Sequence, residues 1–338
     1  MACEKDDETQ EKGLTDMTEG LFVVNEGNWG SGNSTVSFYD PQTREVSNEV
    51  FYLTNGMRLG DVAQTMTIDG NVAWIVVNNS NVVYAVDATT MKELGRVESG
   101  LVSPRSVCVV SDDKIYVSQM YSDKIAVVDV HSYEVIDYIT CKGLNGEISS
   151  TEDMVKKDGY VYVSCWSFQK EVLKVDISQD SVVNCLEVGV QPSRLLMDKA
   201  GKLWTLVDGG YEGNPVGYEA PQIVRIDPQS MTVDKRYTFE LNDYISDICF
   251  NLTSDTLFWM KGDVYRMAIS AETLPDEPFL KPEKGQYYAM SISPKKNELY
   301  LSDAIDYVQQ GVVRRYDMKG VLLDVFEVGV CPGYFCWK

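Results

Sequence analysis

The sequence predicts an all-β chain folded as a seven-bladed β-propeller, with four antiparallel strands per blade and the ring closed by the C-terminal strand completing the first blade. Three observations predict it. One short motif, alternating residues that end in aspartate and a turn, recurs along the whole chain. Each repeat interval holds four strand-like runs. The chain also begins one run short and ends with one run to spare.

The motif reads TVSFYDPQT, VVYAVDATT, KIAVVDVHS, EVLKVDISQ, QIVRIDPQS and VVRRYDMKG, with its aspartate at Asp40, Asp87, Asp129, Asp176, Asp227 and Asp317. A further copy, DVYRMAIS, has Ala268 at that place. Successive copies lie 41 to 51 residues apart. Aspartate suits the position because its carboxylate closes a local turn on backbone N–H groups. Ahead of each copy comes a run rich in aromatic and β-branched residues: LFVVN, VAWIVVN, KIYVSQ, YVYVSC, KLWTLV, TLFWM and ELYLSD. Ahead of those lie QTMTIDG, RSVCVVSDD, DMVKKDG, RLLMDKAG, DICFNLTSD, AMSISPKKN and, at the end of the chain, GYFCWK. A fourth run follows each motif, as in EVSNEVFYL, MKELGRV and EVIDYIT. Four runs per roughly 45-residue unit are the mark of propeller blades. Residues 332–337 are therefore expected to supply the innermost strand of the blade that begins at 21–27, which leaves no open edge. The propeller spans 20–338 as one domain.

The 338 residues are 44% hydrophobic, enough for a large core, and carry 51 acidic against 30 basic side chains. A formal charge of −21 repels phosphate backbones, so nucleic acid is not an expected partner. No apolar run is long enough to cross a membrane as a helix. Residues 1–19 open with MACEKDDETQEKG and read as a disordered acidic tether. Ala2-Cys3 fits the end of a lipoprotein cleavage site, which makes Cys3 the expected lipid-bearing residue; a plain cytosolic N-terminus with a chance cysteine is the alternative. The seven other cysteines are an odd number without a CxxC, which argues against a full disulfide framework. The single histidine, His131, lies in a turn-like HSYE, so zinc is not expected.

KIYVSQMYSDKIAVVDVHSYEVIDYI and VGVQPSRLLMDKAGKLW resemble the YVTN-type, YncE-like propeller repeat, and VGVCP repeats its Val-Gly-x-x-Pro element. The resemblance covers nearly the whole chain. The NEGNWG opening behind a Cys-then-acidic N-terminus is similar to YncE-like surface lipoproteins of gut bacteria, among them cobalamin-capturing propellers of the BtuG type. That resemblance implies a lipid-anchored protein of the outer-membrane surface, which binds a corrinoid and hands it to a TonB-dependent transporter. It implies no cofactor beyond the bound corrinoid, and no membrane contact beyond the N-terminal lipid.

In a propeller, function belongs to loops at one mouth of the central channel. Two loop sets meet there: those joining second and third strands, such as NEGNWGSGN and VDGGYEGNPVGYEAP, and those leading into each blade, such as TNGMRLGD and PEKGQYY. The glycines of NEGNWGSGN suggest a phosphate loop, but a strand follows rather than the helix such a loop needs. These loops carry Trp29, Tyr121, Trp166, Phe168, Tyr211, Tyr218, Tyr287 and Tyr307, flat surfaces on which a large ligand can stack. Blade-to-blade packing is the competing role for some of them. Asn28, Asn79 and Gln119 are the polar candidates beside them. Arg105, Glu152, Arg194 and Asp247 fall near the starts of innermost strands and should ring the channel mouth, either orienting a ligand or satisfying one another.

Catalytic patterns are poor, and no enzyme is expected. No histidine sits beside a serine or cysteine nucleophile, and no two carboxylates are paired by spacing. Lys261 and Lys284 could serve a lyase. Asp208, Asp303 and Asp306 could bind calcium, although SDAIDY lacks the EF-hand pattern; no metal site is expected. The residues alone ask for a large flat ligand, which also fits a glycan or haem. A glycan-binding propeller, or a lyase or lactonase, remains the alternative function.

Overall fold

In the computed structural model, which describes residues 16–144, 146–283 and 285–338, seven small antiparallel sheets stand around a central axis. Cys3 and Lys284 lie outside the described residues. The ring closes as the sequence requires: Pro332–Trp337 is the innermost strand of the first blade and pairs with Leu21–Asn25, Leu21 facing Trp337 and Phe22 facing Cys336. Met17, assigned above to the tether, is buried against the first two blades.

The second strand of each blade is the most apolar because blades cover both of its faces. LFVVN, VAWIVV and LWTLV are almost wholly buried. The core is accordingly seven clusters, one between each pair of neighbouring blades. Outermost strands such as Glu134–Thr140 alternate toward solvent instead. The repeat aspartates do what their position predicts. Asp87 accepts backbone N–H bonds from Thr89 and Thr90, and Asp129, Asp227 and Asp317 close the same turn.

Two blades depart from regularity at their outer edge. In the first, only Val46–Ser47 of the fourth run pairs, and Val50–Asn55 forms a short helix ended by Gly56 in the left-handed region. Val50 and Phe51 are buried there, which a solvent-facing edge strand would not achieve. In the blade of Ile248–Ala268 three strands pair, and among the described residues the chain beyond Ala268 contributes only a bridge between Val264 and Leu280. That segment carries Pro275, Pro278 and Pro282, which cannot donate to a ladder.

One irregularity recurs in every blade. Where the innermost strand begins, two consecutive residues face a single residue of the second strand. The register shifts at Pro332, Ala63, Pro104, Pro192 and Tyr287 record this bulge. In the remaining two blades Ser164 bonds both Glu152 and Asp153, and Met260 bonds both Ser246 and Asp247. A bulge turns both side chains of the pair away from the regular alternation. Here it turns them toward the axis.

Candidate functional site

The bulge pairs build a cavity of about 270 Å³ at the loop-bearing mouth of the channel. The first members, nearer the mouth, are Gly333, Gln64, Arg105, Glu152, Ser193, Ser246 and Tyr288. The second members, one step deeper, are Tyr334, Thr65, Ser106, Asp153, Arg194, Asp247 and Ala289; all but Ala289 line the cavity. Trp166, Leu206, Asp208, Tyr244 and Ile245 complete its wall from the surrounding loops and second strands.

Adjacent blades share charge in each tier. Arg105 donates from Nε and Nη2 to Glu152 at 2.7 and 2.6 Å, and from Nη1 to Gln64 Oε1 at 2.6 Å. Below, Arg194 Nε donates to Asp247 at 2.9 Å, on the far side of Arg194 from Asp153. Burial alone would pull both guanidiniums down, but the adjoining carboxylates hold them above their ordinary range. Asp153 and Asp247 also accept backbone N–H bonds from Leu195 and Met290 of the next blades, so the deeper charges fasten blades together. Burial raises the Asp153 carboxyl despite Arg194 and two backbone donors.

Aromatic rings sit on these charges. The Arg105 guanidinium lies 5.7 Å from the Trp166 ring centroid, and that of Arg194 lies 5.0 Å from Tyr334 across the channel. Trp166 Nε1 donates to Asp208 at 2.7 Å, and Gln191 donates to the same carboxylate. Burial raises Asp208 against those donors. Tyr288 donates to Glu26 at 2.7 Å and meets Tyr307 edge to face, the rings 5.9 Å apart. Burial raises Glu26 against the Tyr288 hydrogen bond, and pushes Tyr334 up to about 12.

The sequence-predicted residues divide into three groups. Arg105, Glu152, Trp166, Arg194 and Asp247 meet in the cavity, and Asp208 joins them. Trp29, Tyr121, Phe168, Tyr211, Tyr218 and Tyr307 are exposed on loops of the same face. Asn28 ties this rim together by donating to the Tyr307 carbonyl, and Asn79 donates to Asp61, whose carboxylate also holds Gly30 N–H. Gln119 and Tyr287 turn elsewhere. Gln119 is buried, accepting from Val102 N–H and donating to the Lys124 carbonyl. Tyr287 packs on the core between the last two propeller blades before closure and donates to the Glu283 carbonyl, while the bulge delivers Tyr288 to the axis in its place.

Tyr121, Phe168 and Tyr307 share a backbone peculiarity. Each lies three residues before the third strand of its blade and holds φ at 61–64°, a region in which bulky side chains are uncommon. The same conformation recurs in turns between third and fourth strands at the other end of the blades, as at Met91, Tyr133 and Met231, so here it marks tight loops on both faces.

Gln64, Tyr244, Tyr288, Tyr334 and Glu26 were not anticipated. The signal for Tyr334 was present, since the two residues after Pro104, Pro192 and Pro332 are all bulge pairs. Lys261 pairs with Asp243 at 3.1 Å, and Asp303 pairs with Arg314 at 2.8 Å. Asp306 closes a loop on Val308 and Gln309 N–H. The seven described cysteines are free thiols, and burial pushes Cys108, Cys141 and Cys336 up to about 12. His131 pairs with Asp113 at the surface.

Comparison with solved structures gives the same fold at low identity. A quinonprotein alcohol dehydrogenase-like protein from Bacteroides thetaiotaomicron is 15% identical with a TM-score of 0.70, over 96% of this chain and 79% of that one. A protein from Bacteroides uniformis provisionally called a 6-phosphogluconolactonase is 13% identical with a TM-score of 0.69, over 95% and 99%. The dihydro-heme d1 dehydrogenase NirN is 13% identical with a TM-score of 0.63, over 96% and 76%. Comparison with curated proteins gives no match. The family model described as a domain of unknown function, DUF5074, matches residues 19–328, and the chain belongs to that family.

Proposed function

We propose that this protein captures a corrinoid, without catalysis, on the loop-bearing face of its propeller. In this reading Cys3 anchors it to the outer-membrane surface and the ligand passes to a TonB-dependent transporter. One observation carries the reading. Of the nine aromatic side chains exposed among the described residues, seven lie on the loops around this one cavity. They are Trp29, Tyr121, Phe168, Tyr211, Tyr218, Tyr244 and Tyr307. Covering each ring contributes about 1.5–3 kcal/mol before ordering costs, so a broad flat ligand seated over several of them is held strongly. A small substrate would use the cavity and leave the rim idle.

The cavity's polar groups suit orientation better than chemistry. Its arginines are bonded to carboxylates, and Ser193 donates to the Leu206 carbonyl rather than to a base. Stacking over sugar rings uses the same platforms, so a glycan is the second reading. Gel filtration with cyanocobalamin tests the first. Visible absorbance co-eluting with the protein is expected; free cobalamin at saturating concentration, together with a hit on a glycan microarray, would transfer the site to the second reading.

A further inference from the structure

The upper tier of the cavity lacks a side chain at one place, and another residue fills it. Gly333 is the first member of its bulge pair, and a Cβ there would collide with the carboxylate of Glu26. Glu26 comes from the loop that follows Leu21–Asn25 in the same blade. Its Oε2 accepts from Tyr288, the tier member of the preceding blade. Its Oε1 lies against Gly333 and has no hydrogen-bond partner among the described residues. On the other side of Gly333 stands Gln64. Its Oε1 is taken by Arg105, and its Nε2 donates to no described residue. Ser246 has a hydroxyl free of partners among the described residues, but only the stretch at Gly333 offers both an acceptor, Glu26, and an amide donor, Gln64, side by side.

The same cavity has no cation to spare. Its lining holds two arginines and four acids, Glu152, Asp153, Asp208 and Asp247. Both guanidiniums are bonded to carboxylates. Even with Asp153, Asp208 and the adjoining Glu26 all protonated, the cavity balances at zero. A phosphate or carboxylate entering it would lose water without gaining a free positive partner.

We infer that the cavity receives an uncharged or cationic group bearing N–H donors, a primary carboxamide above all, and excludes phosphate and carboxylate, with Glu26 and Gln64 as the residues that read it. This rests on the capture reading, which places a ligand over the cavity, and it adds the chemistry of the arm that enters. The amide N–H donates to Glu26 Oε1, and its carbonyl accepts from Gln64 Nε2. No bond is made or broken.

The probes are four aromatic molecules of matched size: benzamide, benzylamine, benzoate and phenyl phosphate. Their dissociation constants are measured by ligand-observed NMR in about 0.5 M salt, which shortens the Debye length to a few ångströms so that the overall charge of the chain does not decide the result. Benzamide and benzylamine are expected to bind at least tenfold more tightly than the two anions. Gln64→Ala and Glu26→Gln should each erase at least fivefold of the benzamide preference. Glu26→Gln can still accept from Tyr288, and if it does not fold, Gln64→Ala decides alone. Equal or tighter binding of benzoate or phenyl phosphate, absence of binding by all four, or a preference untouched by Gln64→Ala overturns the inference. Cyanocobalamin run beside them separates the two claims: its failure to bind while the benzamide preference stands removes the corrinoid and leaves the amide site.

Discussion

The Arg105 guanidinium grips the Glu152 carboxylate through two N–H···O bonds, across the boundary between neighbouring blades. Both side chains are largely buried, with 12% and 16% of their surface exposed. Removing one partner strands the other's charge, at a cost of about 3 kcal/mol. Arg105→Met should lower stability by about that much in urea, and the double variant Arg105→Met/Glu152→Met by less. A double variant as unstable as the sum of its singles would show that the pair does not act as a unit.

Gly333→Ala sets a methyl group against the Glu26 side chain. Its backbone is open to alanine, so the cost is overpacking, about 1–3 kcal/mol. Shortening the opposing side chain with Glu26→Ser should recover most of it in the double variant. If Gly333→Ala melts with wild type, Glu26 does not occupy that place in solution.

Burial raises the Glu26 carboxyl, so the native state binds its proton more tightly than the unfolded chain does. The associated stability is present below the unfolded pKa and is lost as pH rises through the folded one. Glu26→Gln removes that loss. Relative to wild type the variant should gain stability between acidic and neutral pH, with the difference closing toward the acidic end. Thermal melts of both proteins across that range read it; a difference that widens in acid has the wrong sign.

Tyr121 is 64% exposed and sits at φ 61°. Asparagine tolerates that conformation well, and little packing is lost. Tyr121→Asn should therefore leave stability unchanged or raise it by up to about 1 kcal/mol, while weakening cyanocobalamin binding. A destabilisation above about 1 kcal/mol in denaturant would make the ring a packing residue.

Trp29 is 79% exposed and lines the rim rather than the cavity. Trp29→Ala should move stability by less than about 0.5 kcal/mol and weaken ligand binding by more than about 1 kcal/mol. Isothermal titration beside a thermal melt distinguishes this from a structural role.

The propeller was legible because its cause is local and repeated: each turn aspartate, each buried second strand and the spare GYFCWK belong to one pattern. Arg105, Glu152, Arg194 and Asp247 were legible for the same reason, since all four stand at the starts of innermost strands, although the sequence did not separate the two tiers they occupy. The neighbouring choice was not. Simple alternation cannot say whether Tyr287 or Tyr288 faces the axis, because a bulge shifts the phase by one residue. Glu26 was hidden differently. It enters a tier from another strand's loop, and only the three-dimensional gap at Gly333 reveals it. The helix Val50–Asn55 was hidden because EVSNEVFYL satisfies a strand pattern until Val50 and Phe51 find a core to enter.

The most direct measurement is calorimetric titration of the protein with cyanocobalamin, repeated on Trp166→Ala and Tyr244→Ala. The account predicts one site per chain and at least tenfold weaker binding in each variant. Absence of binding, or affinity untouched by both substitutions, would contradict it.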